Sequence, residues 1–134
     1  MTGSSIREPV NEATVRVVNG PLVAPVLSRV VGMLAARAQC PVDRLDDALL
    51  IADALAAHSQ THSRNGHVTV RLLAGEDAIE LQVDALGDGG AEGLLQDASL
   101  PGVGNVLERI ADDVSVERGA SGDETLRVRP SFRP

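Results

Sequence analysis

Apolar and polar residues alternate along several short stretches of the chain and recur at helical spacing along others. From Ala13 to Val18 the run ATVRVV places Val15 and Val17 on one face, which predicts a strand closed by Asn19-Gly20-Pro21. Leu22, Val26, Val30 and Leu34 follow at helical spacing, widened by Leu27, Val31 and Met33. A helix is therefore expected from Leu22 to about Ala38 or Gln39, with Pro25 in its first turn, where a missing N–H costs least. Cys40-Pro41 interrupts, and a second helix is expected from Val42 or Asp43. Its apolar face is Leu45, Leu49, Ala52 and Ala56, flanked by Ala48 and Leu55. Asp43, Asp46 and Asp47 crowd its start, where the helix dipole favours negative charge.

The turn signal SRNG at 63–66 precedes two alternating stretches, HVTVRLL (67–73) and AIELQV (78–83), joined by AGED. Residues 84–101, DALGDGGAEGLLQDASLP, read as a long glycine-rich, acidic loop with one helical turn at Ala91–Leu95. A third helix is expected over Val103–Ala111, opened by Gly102 and Gly104. The strands VSVER (114–118) and ETLRVR (124–129) follow, separated by the hairpin-like GASGD. Segregated helices and paired strands predict an α+β fold, a two-layer sandwich with helices on one face of a mixed, mostly antiparallel sheet. The expected organisation is a flexible tail over 1–11, one domain over 12–130 and a short tail over 131–134.

Composition narrows the chemistry. The chain has 134 residues, neither Trp nor Tyr, and one Phe, so its core is aliphatic and offers few rings for stacking on a base. All 12 basic residues are Arg. Without Lys, a Walker-type phosphate loop and a Schiff-base enzyme are both excluded. A net charge of −7 with no Arg cluster argues against nucleic acid as a partner and suits a partner with a basic surface. Cys40 is the single cysteine, which rules out an intramolecular disulfide and reads as a buried, inert thiol. No apolar run approaches a membrane span and the N-terminus carries no hydrophobic signal segment, so a cytoplasmic protein without membrane contact is expected.

Three groups of residues could carry chemistry. His58 and His62 stand four apart on the second helix and could share a metal. The residues between them lack the glutamate of a zinc peptidase, and such pairs at a helix end more often cap the last carbonyls. Gly87 and Gly89, then Gly102 and Gly104, bracket the long loop, and backbone N–H groups in such runs can meet phosphate. Asp53 lies within an apolar helix, where a carboxylate wants a partner or solvent.

In order and spacing from Ala13 to Arg129, the chain resembles the anti-sigma-factor serine kinases of the RsbW/SpoIIAB type, within the histidine-kinase-like ATPase (Bergerat-type) superfamily. The resemblance rests on VDRLDDALLIADALAAH, on IELQVDALGDG, and on GVGNVLERIADDVSVERGASGDETLRV. It places Asp53 at the family's catalytic glutamate and Ala57 at its magnesium-binding asparagine. Ala85 falls at the adenine-reading aspartate of Asp-x-Gly-x-Gly, with Gly87 and Gly89 kept. Asp84, one residue off, is expected on the opposite face of its strand. Gly102 and Gly104 match the second glycine box, with Asn105 in place of an apolar residue, and Thr125 matches a polar position near the nucleotide.

Loss of the metal ligand and the base reader together implies that kinase activity is lost or weakened, since phosphoryl transfer depends on metal-held phosphates. The resemblance thus implies a regulator that docks on a sigma factor or an anti-sigma antagonist, with homodimerisation common in the family. ATP and Mg²⁺ would be cofactors only if the nucleotide site is retained. The alternatives are an active serine kinase, with Asp53 as base and His58 or Asp88 as an unorthodox metal ligand, and a metal site at His58 and His62.

Overall fold

The computed structural model describes residues 9–76, 78–100 and 104–130. Both termini, Gly102 and the start of the expected third helix at Val103 lie outside the described residues. The chain runs β1 (Asn11–Val18), α1 (Val23–Arg37), α2 (Val42–His62), β2 (His67–Ala74) and β3 (Ile79–Leu86). It continues through α3 (Gly90–Asp97), β4 (Ser99–Leu100), β5 (Gly104–Asn105), α4 (Val106–Ile110), β6 (Ala111–Arg118) and β7 (Glu124–Pro130). Five strands form one open sheet in the order β1-β2-β3-β7-β6, and β4 pairs with β5 in a separate two-stranded ladder. The expected α+β class holds, but the sheet is not mixed. Each described pair is antiparallel, because β7 returns as a hairpin partner of β6 and lies antiparallel to β3.

One face of the sheet carries Val68, Val70 and Leu72 of β2, Ile79, Leu81 and Val83 of β3, and Leu126 and Val128 of β7. These side chains share a single core with the buried rows of the helices. On α1 that row is Val23, Leu27, Val31, Leu34 and Ala35, whereas Leu22 and Met33 are exposed. The expected stripe is therefore rotated by about one residue. A helix this apolar presents two competing rows, and the one facing α2 and β2 is buried. On α2, Ile51 and Ser59 join the expected Ala48, Ala52, Leu55 and Ala56 in the core. None of the described helices is long and apolar enough to cross a membrane.

The stretch expected as a long loop is mostly ordered secondary structure. β3 runs three residues past Val83 through a bulge, with Ala85 in the left-handed region at φ 57°. The bulge shifts the register so that Leu86 turns back into the core and pairs with Glu124. Eight residues of α3 follow where one turn was expected. The third expected helix shrinks to the five residues of α4, because Gly104-Asn105 is drawn into the β4–β5 ladder. Asn105 then caps α4, accepting from the Glu108 N–H at 3.2 Å and donating to the Leu95 carbonyl at 2.8 Å.

α1 closes with a complete Schellman motif. The Cys40 N–H reaches the Ala35 carbonyl at 2.9 Å and the Gln39 N–H reaches Ala36 at 3.2 Å, with Gln39 left-handed at φ 60°. Cys40 itself is half-buried rather than fully enclosed, and burial pushes its thiol up from the ordinary value. Gln39 and Ala85 each carry a Cβ at a backbone conformation that favours glycine. Gln39→Gly and Ala85→Gly are each expected to raise stability by about 1 kcal/mol. Urea unfolding followed by far-ultraviolet circular dichroism measures this, and a lowered midpoint in both variants contradicts the assignment of strain.

Candidate functional site

The glycine run after β3 packs where three elements meet. The Gly87 N–H donates to the last-turn carbonyl of α2, His62 O, at 2.9 Å, and the Gly90 N–H donates to Gly87 O at 2.9 Å. Gly89 sits at φ 72° as the residue that caps α3, a conformation a side chain would strain. A Cβ on Gly90 would come within 3.2 Å of both the His62 carbonyl and the Leu86 side chain. These glycines let a strand end, a helix end and a helix start approach one another.

The N–H groups at the start of α3 are the anion-binding type foreseen from the sequence, and the chain supplies the anion itself. Glu124, only 5% exposed, accepts from the Gly89 N–H through Oε2 and from the Ala91 N–H through Oε1, both at 3.0 Å. Arg118, across the β6–β7 hairpin, donates to Glu124 Oε2 at 2.9 Å and to Asp88 Oδ1 at 2.8 Å. The Ala91 N–H, then the Arg118 guanidinium and the Gly89 N–H, hold the Glu124 carboxyl below the ordinary glutamate value despite its burial. Arg64 extends this charged rim by pairing with Asp123 at 2.6 Å.

His62 leaves the α2 end and lies against α3. Its Nε2–H donates to Asp97 Oδ2 at 2.7 Å, and the ring rests on Gly93, where a Cβ would stand 2.5 Å from Cε1. That pairing turns the His62 ring toward α3. Among the described residues no group of three or more His, Cys, Asp and Glu could hold a metal ion.

The other residues singled out from the sequence do not converge on the glycines. Asp53 is exposed and accepts from the Ser28 hydroxyl of α1 at 3.0 Å. It lies nine residues before His62, roughly half a turn around the helix from the face that meets α3. Ala57 is also exposed. Thr125 donates to Asp84 Oδ1 at 3.0 Å, on the sheet face away from Val83 and Leu126. Asp84 thus takes the expected face and Thr125 shares it. Ala85 supplies a backbone carbonyl to the Arg64 N–H at 3.0 Å, and Gly104 belongs to β5.

No family model matches the chain, and no curated protein matches it as a relative.

The residues at the glycine loop do not fit a Mg-nucleotide. The N–H groups that would meet phosphate hold Glu124, Asp53 faces α1, and Ala57 has no ligating oxygen. Sequence reasoning missed Glu124 although its signal was present. It falls in phase with Leu126 and Val128, so alternation points its charge into the buried face.

Glu124→Gln puts an amide NH₂ among donors and is expected to cost about 1–3 kcal/mol at pH 7. Because the folded-state carboxyl titrates below the unfolded one, its contribution is complete above about pH 4.3 and is lost as pH falls through the lowered value. The stability difference between parent and Glu124→Gln should therefore narrow between pH 5 and strongly acidic solution, as read by urea unfolding; a constant gap contradicts the role. For the second contact, Gly93→Ala should raise stability by about 1 kcal/mol through helix propensity only in a His62→Ala background. Equal effects in both backgrounds would show that the ring does not rest there.

Proposed function

We propose that this chain is a regulatory protein-binding module of the anti-sigma type, acting in the cytoplasm, with the nucleotide chemistry of its resemblance family given up. One observation carries the reading. The carboxylate of Glu124 occupies the N–H groups of the glycine loop, so a phosphate would have to displace a buried, triply bonded anion. In support of a histidine-kinase-like ATPase ancestry stand the order of elements, with two helices between β1 and β2, and the glycine loop between β3 and α3. The position of Asp53 against Ser28 and the blank at Ala57 agree with lost phosphoryl transfer. The net charge of −7 suits a partner with a basic docking surface, such as a sigma factor or an anti-sigma antagonist.

Isothermal titration with Mg-ATP and Mg-ADP tests the reading. The expected result is no heat at millimolar nucleotide, where a ligand would have gained only about 4 kcal/mol. Micromolar binding of either nucleotide overturns it and restores the kinase alternative.

A further inference from the structure

We infer that Asn65, in the turn joining α2 to β2, is a site of spontaneous intramolecular deamidation whose conversion loosens the end of the β1–β2 ladder. The chemistry needs an asparagine whose side-chain amide can be attacked by the backbone nitrogen of the next residue. Glycine in that next position leaves the approach open, since no Cβ crowds the nitrogen and the backbone turns freely. The sequence holds two Asn-Gly pairs, Asn19-Gly20 and Asn65-Gly66, and the fold treats them in opposite ways. Asn19-Gly20 is locked against α2. The Gly20 N–H, whose nitrogen would attack, donates to Gln60 Oε1 at 2.8 Å, and Asn19 Nδ2–H donates to the Gln60 carbonyl at 3.1 Å. Asn19 Oδ1 is buried, so a carboxylate in its place would lose water and face that carbonyl. Asp88-Gly89, which could close the same ring, is held likewise, the Gly89 N–H by Glu124 and the Asp88 carboxylate by Arg118.

The α2–β2 turn has no such lock. Arg64, Asn65 and Gly66 are exposed, and a Cβ on Gly66 would meet nothing within 4 Å. Among the described residues, neither the Asn65 side-chain amide nor the Gly66 N–H has a hydrogen-bond partner. The turn is nevertheless anchored on both sides. The Arg64 N–H donates to the Ala85 carbonyl and the Asn19 N–H to the Gly66 carbonyl, each at 3.0 Å. His67 Nδ1 lies 3.0 Å from the Asn65 carbonyl oxygen, which can only accept, so that nitrogen carries the proton. Donation into this carbonyl stabilises the charge that spreads onto its oxygen when the Gly66 nitrogen loses a proton.

The steps balance with water as the only co-reactant. Solvent base removes the Gly66 amide proton, the nitrogen attacks Asn65 Cγ, and the new C–N bond expels the side-chain nitrogen as ammonia. Water then opens the cyclic imide at either carbonyl. Opening at the former side-chain carbonyl leaves aspartate. Opening at the backbone carbonyl leaves isoaspartate, with an extra methylene in the main chain. Both products add a negative charge beside the Arg64–Asp123 pair. The isoaspartyl form also lengthens the tether to Gly66 and draws its carbonyl away from the Asn19 N–H, one step beyond the Val18–His67 pair of the ladder. Asn19 lines an apolar cleft of about 400 Å³ with Val18, Pro21 and Leu22, so the change reaches that surface. None of this depends on what the glycine loop binds.

Incubation of the full chain in mildly alkaline buffer at body temperature, followed by trypsin and mass spectrometry, tests this. Cuts after Arg64 and Arg71 release residues 65–71, or 45–71 where cutting before the modified residue fails, and cuts after Arg16 and Arg29 release 17–29. Both asparagines are thus read in one sample against an unincubated digest, and an isoaspartyl methyltransferase labels the isoaspartyl product. In the folded chain Asn65 is expected to convert at least about tenfold faster than Asn19, and in guanidinium chloride the two should agree within about threefold. Gln60→Ala should raise the Asn19 rate about tenfold and leave that of Asn65 unchanged. Isoaspartyl chains separated by ion exchange should show faster hydrogen exchange at the Asn19 N–H. Equal conversion of the two sites in the folded chain overturns the assignment, as does an Asn65 that converts only when the chain is unfolded. A folded Gln60→Ala chain with Asn19 still protected overturns the lock, and unchanged exchange at Asn19 overturns the loosening of the ladder.

Discussion

A carboxylate inside a protein must be met by hydrogen-bond donors or give up its charge. Glu124 is met by three, and the arrangement around it sets the whole upper end of the molecule. Two of the donors begin α3, and the third reaches back from the end of β6. Through Gly87 the same loop holds the last carbonyl of α2, so a single acidic side chain on β7 ties two helices and a hairpin to the sheet. Removing it would leave the buried Ala91 N–H at the head of α3 without its acceptor. The site that resembles a phosphate cradle is thereby a structural joint.

That joint gives the glycines of this loop a structural reason of their own. Gly89 is required here by its left-handed backbone and Gly90 by close approach, whatever occupies the anion position. Internal occupation by Glu124 also reverses the usual electrostatics of such a loop. The helix dipole and the Arg118 guanidinium are already neutralised locally, and Asp88 adds further negative charge on the rim.

Where polar and apolar residues alternate strictly, as in β1 and β7, strand and face could be read from the sequence directly, and the proline and glycine breaks located both ends of α1 and the start of α2. What escaped has physical causes. The apolar character of α1 extends round the helix, so periodicity alone could not choose between the row of Leu22 and that of Val23. The continuation of β3 was hidden because a bulge at Ala85 breaks the period of two exactly where glycines suggest a loop. Helical spacing made His58 and His62 look like partners, but the His62 ring packs on Gly93 of α3 and pairs with Asp97. Asp53 looked anomalous in an apolar helix until Ser28 supplied a neighbouring hydroxyl from α1.

The position of β7 has a consequence for the order of assembly. It is the farthest of the described strands along the chain, yet it lies between β3 and β6 rather than at an edge. Until residues 124–130 have emerged during synthesis, Leu81 and Val83 have only one strand neighbour and α3 has no carboxylate at its head. The β1–β2 pair and the two long helices that connect them can collapse earlier, but the sheet cannot be completed behind them. A ribosome-bound chain is thus held with its central strand half-paired, an interval during which a chaperone has an open edge to cover.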